Sequence, residues 1–240
     1  MSNFLKLIQP TLPVQFEFTL AEVEKLMQMQ DQLNTYIHPE WKTQGFDWSL
    51  AIVDECMEIH GHLGWKWWKP DYNVGVTETN LKQVQLEVID ILHFALSQGL
   101  VEGFNVLAVS KAFNTPVYSL ADLGYSVSTM AKVALSERLS TRMFWAILAH
   151  TVGLTKQQIL ETYVQKFVLN KFRQDHGYKT GEYQKIWKVW SKIWETEVSG
   201  EDNYWLEQVV NDLRLTCQDT TDENALYMRL EQLYNSRLNK

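Results

Sequence analysis

The sequence predicts an all-α protein, and three observations carry that reading. All five prolines, Pro10, Pro13, Pro39, Pro70 and Pro116, lie before residue 117, each between segments of helical periodicity. Capping-box patterns recur at Thr19-Leu-Ala-Glu22, Thr155-Lys-Gln-Gln158 and Thr220-Thr-Asp-Glu223, with apolar residues at helical spacing after each. No convincing set of alternating strands appears, and no glycine-rich phosphate loop.

The first helix is expected over 19–37, opening on the Thr19 box and burying Leu26, Met29 and Leu33. Pro39 separates it from a second over 47–64, which carries DECMEIHGH, and Pro70 separates that from a third over 78–102, built around QLEVIDILHF. Beyond Pro116, helices are expected over 119–135 and 137–152, and the Thr155 box opens one over 155–175. The segment QKIWKVWSKIW (184–194) repeats Lys-Ile-Trp after seven residues and reads as a helix over 182–196 with a tryptophan-bearing apolar stripe. Helices over 202–215 and 221–238 complete the set. With no low-complexity linker and no fixed-period repeat, a single domain over 1–240 is the simplest account.

Hydrophobic residues make up 45% of the 240, enough for a substantial core. Two cysteines, Cys56 and Cys217, form no disulfide framework and read as reduced thiols. No apolar run reads as a membrane span, and MSNFLKLIQP lacks the features of a signal peptide, so a soluble, cytoplasmic protein is expected. The net charge of −7, without a polybasic tail, argues against a general nucleic-acid binder but leaves small phosphorylated ligands open.

The chemistry concentrates on two acidic pairs. Glu55 and Glu58 are three apart and share a helix face, and Glu87 and Asp90 repeat the geometry on the next long helix. Either pair alone is ordinarily a solvated face. Carboxylates flanked by apolar residues are costly unless paired or bound to a cation, and four converging would need a divalent ion, for which hard oxygen ligands suit Mg²⁺ or Mn²⁺. A zinc site fits less well, because Cys56 and His60 share a face while His62 lies on another. A di-iron bundle would use Asp90-Ile-Leu-His93, but the second helix has no histidine at the matching offset. Lys166, Asn170 and Arg173 fall at i, i+4 and i+7, a single polar stripe on an otherwise apolar helix, ordinarily an exposed face.

Glu55-x-x-Glu58 followed by Glu87-x-x-Asp90 resembles the metal signature of the all-α nucleoside triphosphate pyrophosphohydrolases. GWKWWK (64–69), EVIDILHF (87–94), LNKFRQDHGY (169–178) and GEDN (200–203) are similar to conserved blocks of the dimeric dUTPases, a resemblance running from about residue 20 to 206. It implies an all-α homodimer that hydrolyses dUTP, and dUDP, to dUMP with Mg²⁺, for which Mn²⁺ would be the substitute. Glu55, Glu58, Glu87 and Asp90 would be metal ligands, with Glu55 or Glu58 as general base. Gln30 and Asn34 match the family's uracil pocket, Trp67 is the candidate for stacking on or shaping it, and His93 matches a residue near the deoxyribose. Lys166, Asn170, Arg173, Tyr178 and Lys185 match phosphate-binding positions, and Asn203 lies in a block near the site.

One departure stands out. A KIW word lies close to GEDN in the family, whereas here KVWSKIWETEVS (188–199) separates Lys185-Ile-Trp187 from Gly200, an insertion able to shift Asn203 relative to Lys185. Beyond residue 206 the chain reads only as a terminal amphipathic helix. The expected function is dUTP and dUDP hydrolysis, with no nucleic-acid or membrane partner. The rivals are a pyrophosphatase for dCTP or a modified nucleotide, a non-catalytic helical assembly protein and a di-iron oxidoreductase.

Overall fold

The computed structural model describes residues 14–117, 122–136, 141–191 and 196–237. Among them are nine helices: α1 (Leu20–Ile37), α2 (Trp48–His62), α3 (Leu81–Val101), α4 (Val106–Phe113), α5 (Leu123–Ser136), α6 (Thr141–Thr151), α7 (Lys156–Asp175), α8 (Asp202–Leu215) and α9 (Glu223–Asn235). A single antiparallel hairpin, β1 (Ile186–Ser191) and β2 (Thr196–Glu201), accompanies them, so the all-α class holds. Parts of the helices expected over 119–135 and 137–152 fall on residues 118–121 and 137–140, outside the described residues. The chain divides into two compact units, Met1–Leu160 and Glu161–Lys240.

In the first unit α3 is the central helix, packed against α1, α2 and α6, with α5 bridging α2 and α6. Its Val84, Val88, Ile89, Ile91, Leu92 and Ala95 are fully buried, which supplies the core's hydrophobic driving force. The Trp145 indole N–H of α6 donates to the Val88 carbonyl at 2.9 Å, so the largest core side chain is also satisfied as a donor. By length and composition α3 could cross a membrane, contrary to the sequence reading, but 72% of its apolar window is buried inside the protein, as in a soluble core helix. The Thr19 and Thr155 boxes form as expected, with Glu22 and Gln158 reaching back to the cap. Helix α4 has no counterpart in the sequence reading. It is one Asn105-capped segment of eight residues, too short to show a persistent period.

In the second unit the expected helix over 182–196 is a correction: Ile186–Ser191 is the first strand of a hairpin, paired with Thr196–Glu201. Trp187 and Val189 are buried while Ile186, Lys188 and Trp190 are exposed, a period of two that helical spacing cannot give. Tryptophan, isoleucine and valine also favour the pleated conformation. The second copy of the seven-residue echo, 192–194, lies outside the described residues.

The third capping box does not form. Asp222 caps α9 instead, accepting from the Asn224 and Ala225 N–H groups, while Asp219 takes the Thr221 N–H and hydroxyl. Nor is α9 an appendage. Leu226 and Leu230 are fully buried, and the Tyr234 ring lies 5.4 Å from Phe172, 5.2 Å from Trp187 and 5.4 Å from Tyr183.

Candidate metal centre and polar networks

In the first unit α2 and α3, the most extensively packed helix pair there, bring the acidic residues together. One carboxylate oxygen each from Glu55, Glu58 and Glu87 lies within 4.8 Å of the others. Asp90, one turn further along α3 and half-buried, lies outside that set. Glu87 is 3% exposed, and its Oε2 is buried without a hydrogen-bond donor. Ionised carboxylates at this separation repel one another, and an undonated buried oxygen adds a desolvation cost. A divalent cation answers both, so the residues fit such an ion.

Glu87 Oε1 faces the His62 Nε2 at 3.5 Å. Sequence reasoning missed His62 although its signal was present: Glu55, Glu58 and His62 stand at i, i+3 and i+7 on one face of α2. His62 does lie off the face of Cys56 and His60, and the face it occupies is that of the carboxylates. Cys56 and His60 are not brought into the cluster. Burial, with the charge of neighbouring Glu55, pushes the Cys56 thiol up to about 12, so without a metal it stays protonated. His60 pairs with the Ser128 hydroxyl at 3.1 Å, and burial lowers its pKa.

Elsewhere in the first unit Gln30, Asn34 and His93 form a buried ring with Ser97. His93 Nδ1 lies 2.7 Å from Gln30 Oε1, and that oxygen can only accept, so the imidazole donates. Gln30 Nε2 donates to Asn34 Oδ1 at 2.9 Å, Asn34 Nδ2 to Ser97 Oγ at 2.8 Å, and the Ser97 hydroxyl to the His93 carbonyl at 2.8 Å. Ser97 was not anticipated, although it stands one turn beyond His93 on α3. Trp67, by contrast, is 73% exposed, its ring edge-on to Trp68 at 5.6 Å.

The second unit holds the basic set. The stripe on α7 is not an exposed face: Lys166 is 0% exposed and donates to Asn203 Oδ1 at 2.9 Å. Arg173 donates from Nη1 to Asn170 Oδ1 at 2.9 Å, and from Nε and Nη2 to both oxygens of Asp202 at 2.8 Å. The Tyr183 hydroxyl donates to Asp202 Oδ2 at 2.9 Å, and the Arg173 guanidinium lies 6.0 Å from the Tyr178 ring centre. Lys185 is exposed and meets Glu201 at 3.5 Å. Burial would push Asp202 up, but the hydrogen bonds and charge of Arg173, with Tyr183 and Lys166, outweigh it and hold the carboxyl below its usual range.

Asp202 and Tyr183 were missed. The available signal was physical: a cationic stripe on a buried helix requires a buried counter-charge, and GEDN supplies one. The insertion does not separate these residues. Ile186 pairs with Glu201 and Trp187 with Gly200, and the Asp202 N–H donates to the Lys185 carbonyl at 2.9 Å.

A helical scaffold with a tight carboxylate cluster suited to a divalent ion and a buried amide–imidazole ring fits the class of all-α metal-binding proteins. A dUTPase family model matches residues 22–178, well over half of the chain, so this protein belongs to the dUTPase family. Its activity is that family's, dUTP diphosphatase, and the family generally uses a divalent metal. A comparison with curated proteins found no match.

Proposed function

We propose that the protein is a Mg²⁺-dependent homodimer that hydrolyses dUTP, and dUDP, to dUMP with release of pyrophosphate or phosphate, and that it works in the cytoplasm on free nucleotides. Two observations carry the metal reading: one carboxylate oxygen each from Glu55, Glu58 and Glu87 lies within 4.8 Å of the others, and the Glu87 carboxylate holds a buried oxygen, Oε2, without a donor. Glu55, Glu58 and Glu87 would hold the ion, with Asp90 as the fourth ligand. Bound there, Mg²⁺ supplies Lewis acidity, neutralising phosphate charge and acidifying water. Glu55 or Glu58 takes a proton from the attacking water as an oxygen–phosphorus bond forms and the anhydride bond to the leaving phosphate breaks.

Gln30, Asn34 and His93 are the proposed base and sugar contacts, and Trp67 the proposed wall of the base pocket. Lys166, Asn170, Arg173, Tyr178, Lys185 and Asn203 are the proposed phosphate ligands, Lys166 being a fully desolvated ammonium, which strengthens its attraction for an anion.

Steady-state dUTP and dUDP hydrolysis by the purified protein tests the reading, with product analysis for dUMP. Chelation should abolish turnover and Mg²⁺ restore it. Glu55→Gln and Glu87→Gln should each lose at least about 100-fold in kcat, the scale of a lost general base or ligand; near-native rates in either would overturn the assignment.

A further inference from the structure

We infer that His62 is a positioning residue that holds Glu87 as a one-oxygen metal ligand, an inference that rests on the carboxylate cluster being the metal centre. The two oxygens of Glu87 stand in different situations. Oε1 faces the His62 imidazole at 3.5 Å, while Oε2 is buried with no donor. A carboxylate whose one oxygen is directed at an N–H presents the other to a cation, and such outer partners fix the rotamer of a ligand. At 3.5 Å the contact is at the long limit for a hydrogen bond, so its value is in orientation more than in strength.

The backbone around His62 is built to hold the ring in place. His62 is the last residue of α2, and its carbonyl accepts from Asn80 Nδ2 at 2.9 Å, the same amide that binds the Gly75 carbonyl at 2.9 Å. Asn80 itself precedes α3, the helix of Glu87. The chain turns away at Gly64, where φ is +69° and the carbonyl accepts from the Asn73 N–H at 2.7 Å. One amide therefore couples the end of the helix bearing Glu55 and Glu58 to the start of the helix bearing Glu87.

His62 is not itself assigned as a ligand. Among the described residues, the group whose ligand atoms come within 4.8 Å of one another is Glu55, Glu58 and Glu87, and His62 is not part of it.

Titration calorimetry of Mn²⁺ with the full chain tests the proposal without reference to turnover. The native protein should bind Mn²⁺, Glu87→Gln should lose binding, and His62→Ala should bind about 10- to 100-fold more weakly, the usual effect of removing an outer partner. His62→Gln, whose Nε2 can donate from a similar place, should recover most of the loss, with unchanged circular dichroism. Native affinity in His62→Ala, with binding lost in Glu87→Gln, would overturn the positioning role and leave the metal centre standing. Native affinity in Glu87→Gln would overturn the metal centre itself, and this inference with it. Electron spin-echo spectroscopy of the Mn²⁺ complex should show no directly coordinated nitrogen; a strong coupling that vanishes in His62→Ala would make His62 a ligand and overturn the proposal.

Discussion

Asp202 shows how much of the second unit depends on a single buried charge. It is fully buried, receives both arms of Arg173 and the Tyr183 hydroxyl, and holds its pKa below the usual carboxylate range because Arg173 outweighs burial. A depressed folded pKa adds stability that is present above the unfolded value, about 3.9, and is lost as pH falls through the folded one. Asp202→Asn leaves the largely buried Arg173 without its counter-charge and should cost about 3–5 kcal/mol. Thermal unfolding followed by tryptophan fluorescence should show this loss near neutral pH and a narrowed gap from the native protein in strong acid, where Asp202 is protonated anyway. The spacing of Glu55, Glu58, Glu87, Gln30 and Asn34 was legible because helical period fixes faces. Burial was not: the pattern of Lys166, Asn170 and Arg173 is the same whether a stripe meets water or Asn203 and Asp202. His62 was overlooked for a narrower reason, since its face was compared with that of Cys56 rather than with that of the glutamates.

At the level of elements, the helices with strong caps were the ones most fully written in the sequence. Thr19 and Thr155 mark real starts, whereas at Thr220 three nearby acceptors, Asp219, Asp222 and Thr220, compete and the local geometry favours Asp222. The hairpin was misread because helical and extended segments share residue types, and only the burial of Trp187 and Val189 against exposed Lys188 distinguishes them. The Trp205 indole fastens it, 3.3 Å from the Trp187 carbonyl and 3.1 Å from that of Gly200. Replacing residues 190–197 with Asn-Gly closes the ladder by a two-residue turn at the pair Val189–Val198. Among the described residues this removes the outer ladder pairs Trp190–Glu197 and Ser191–Thr196 and the exposed Lys188–Glu197 ion pair, the last worth about 0–1 kcal/mol. The shortened protein should keep its melting temperature to within a few degrees and retain dUTP hydrolysis; a collapse of either would show that the excursion itself is required.

For the whole molecule, the terminal helix matters beyond its place in the chain. Removing residues from 217 onward should take Leu226, Leu230 and Tyr234 out of the second unit's core and expose Phe172 and Trp187. Loss of a buried aromatic alone costs about 3–5 kcal/mol, comparable to a domain's whole margin. Limited proteolysis of the truncated chain should therefore cut within 161–216 while the native chain resists.

The family match ends at Tyr178, a few residues ahead of β1, although GEDN lies further on. Along the chain, the hairpin lengthens the path from Lys185 to Asp202. Through space it adds nothing, because an out-and-back ladder returns its end to its origin whatever its length. Contour and distance are thus decoupled at this one place in the protein, and residues 188–199 can vary in number, two at a time, while Asp202 still meets Arg173.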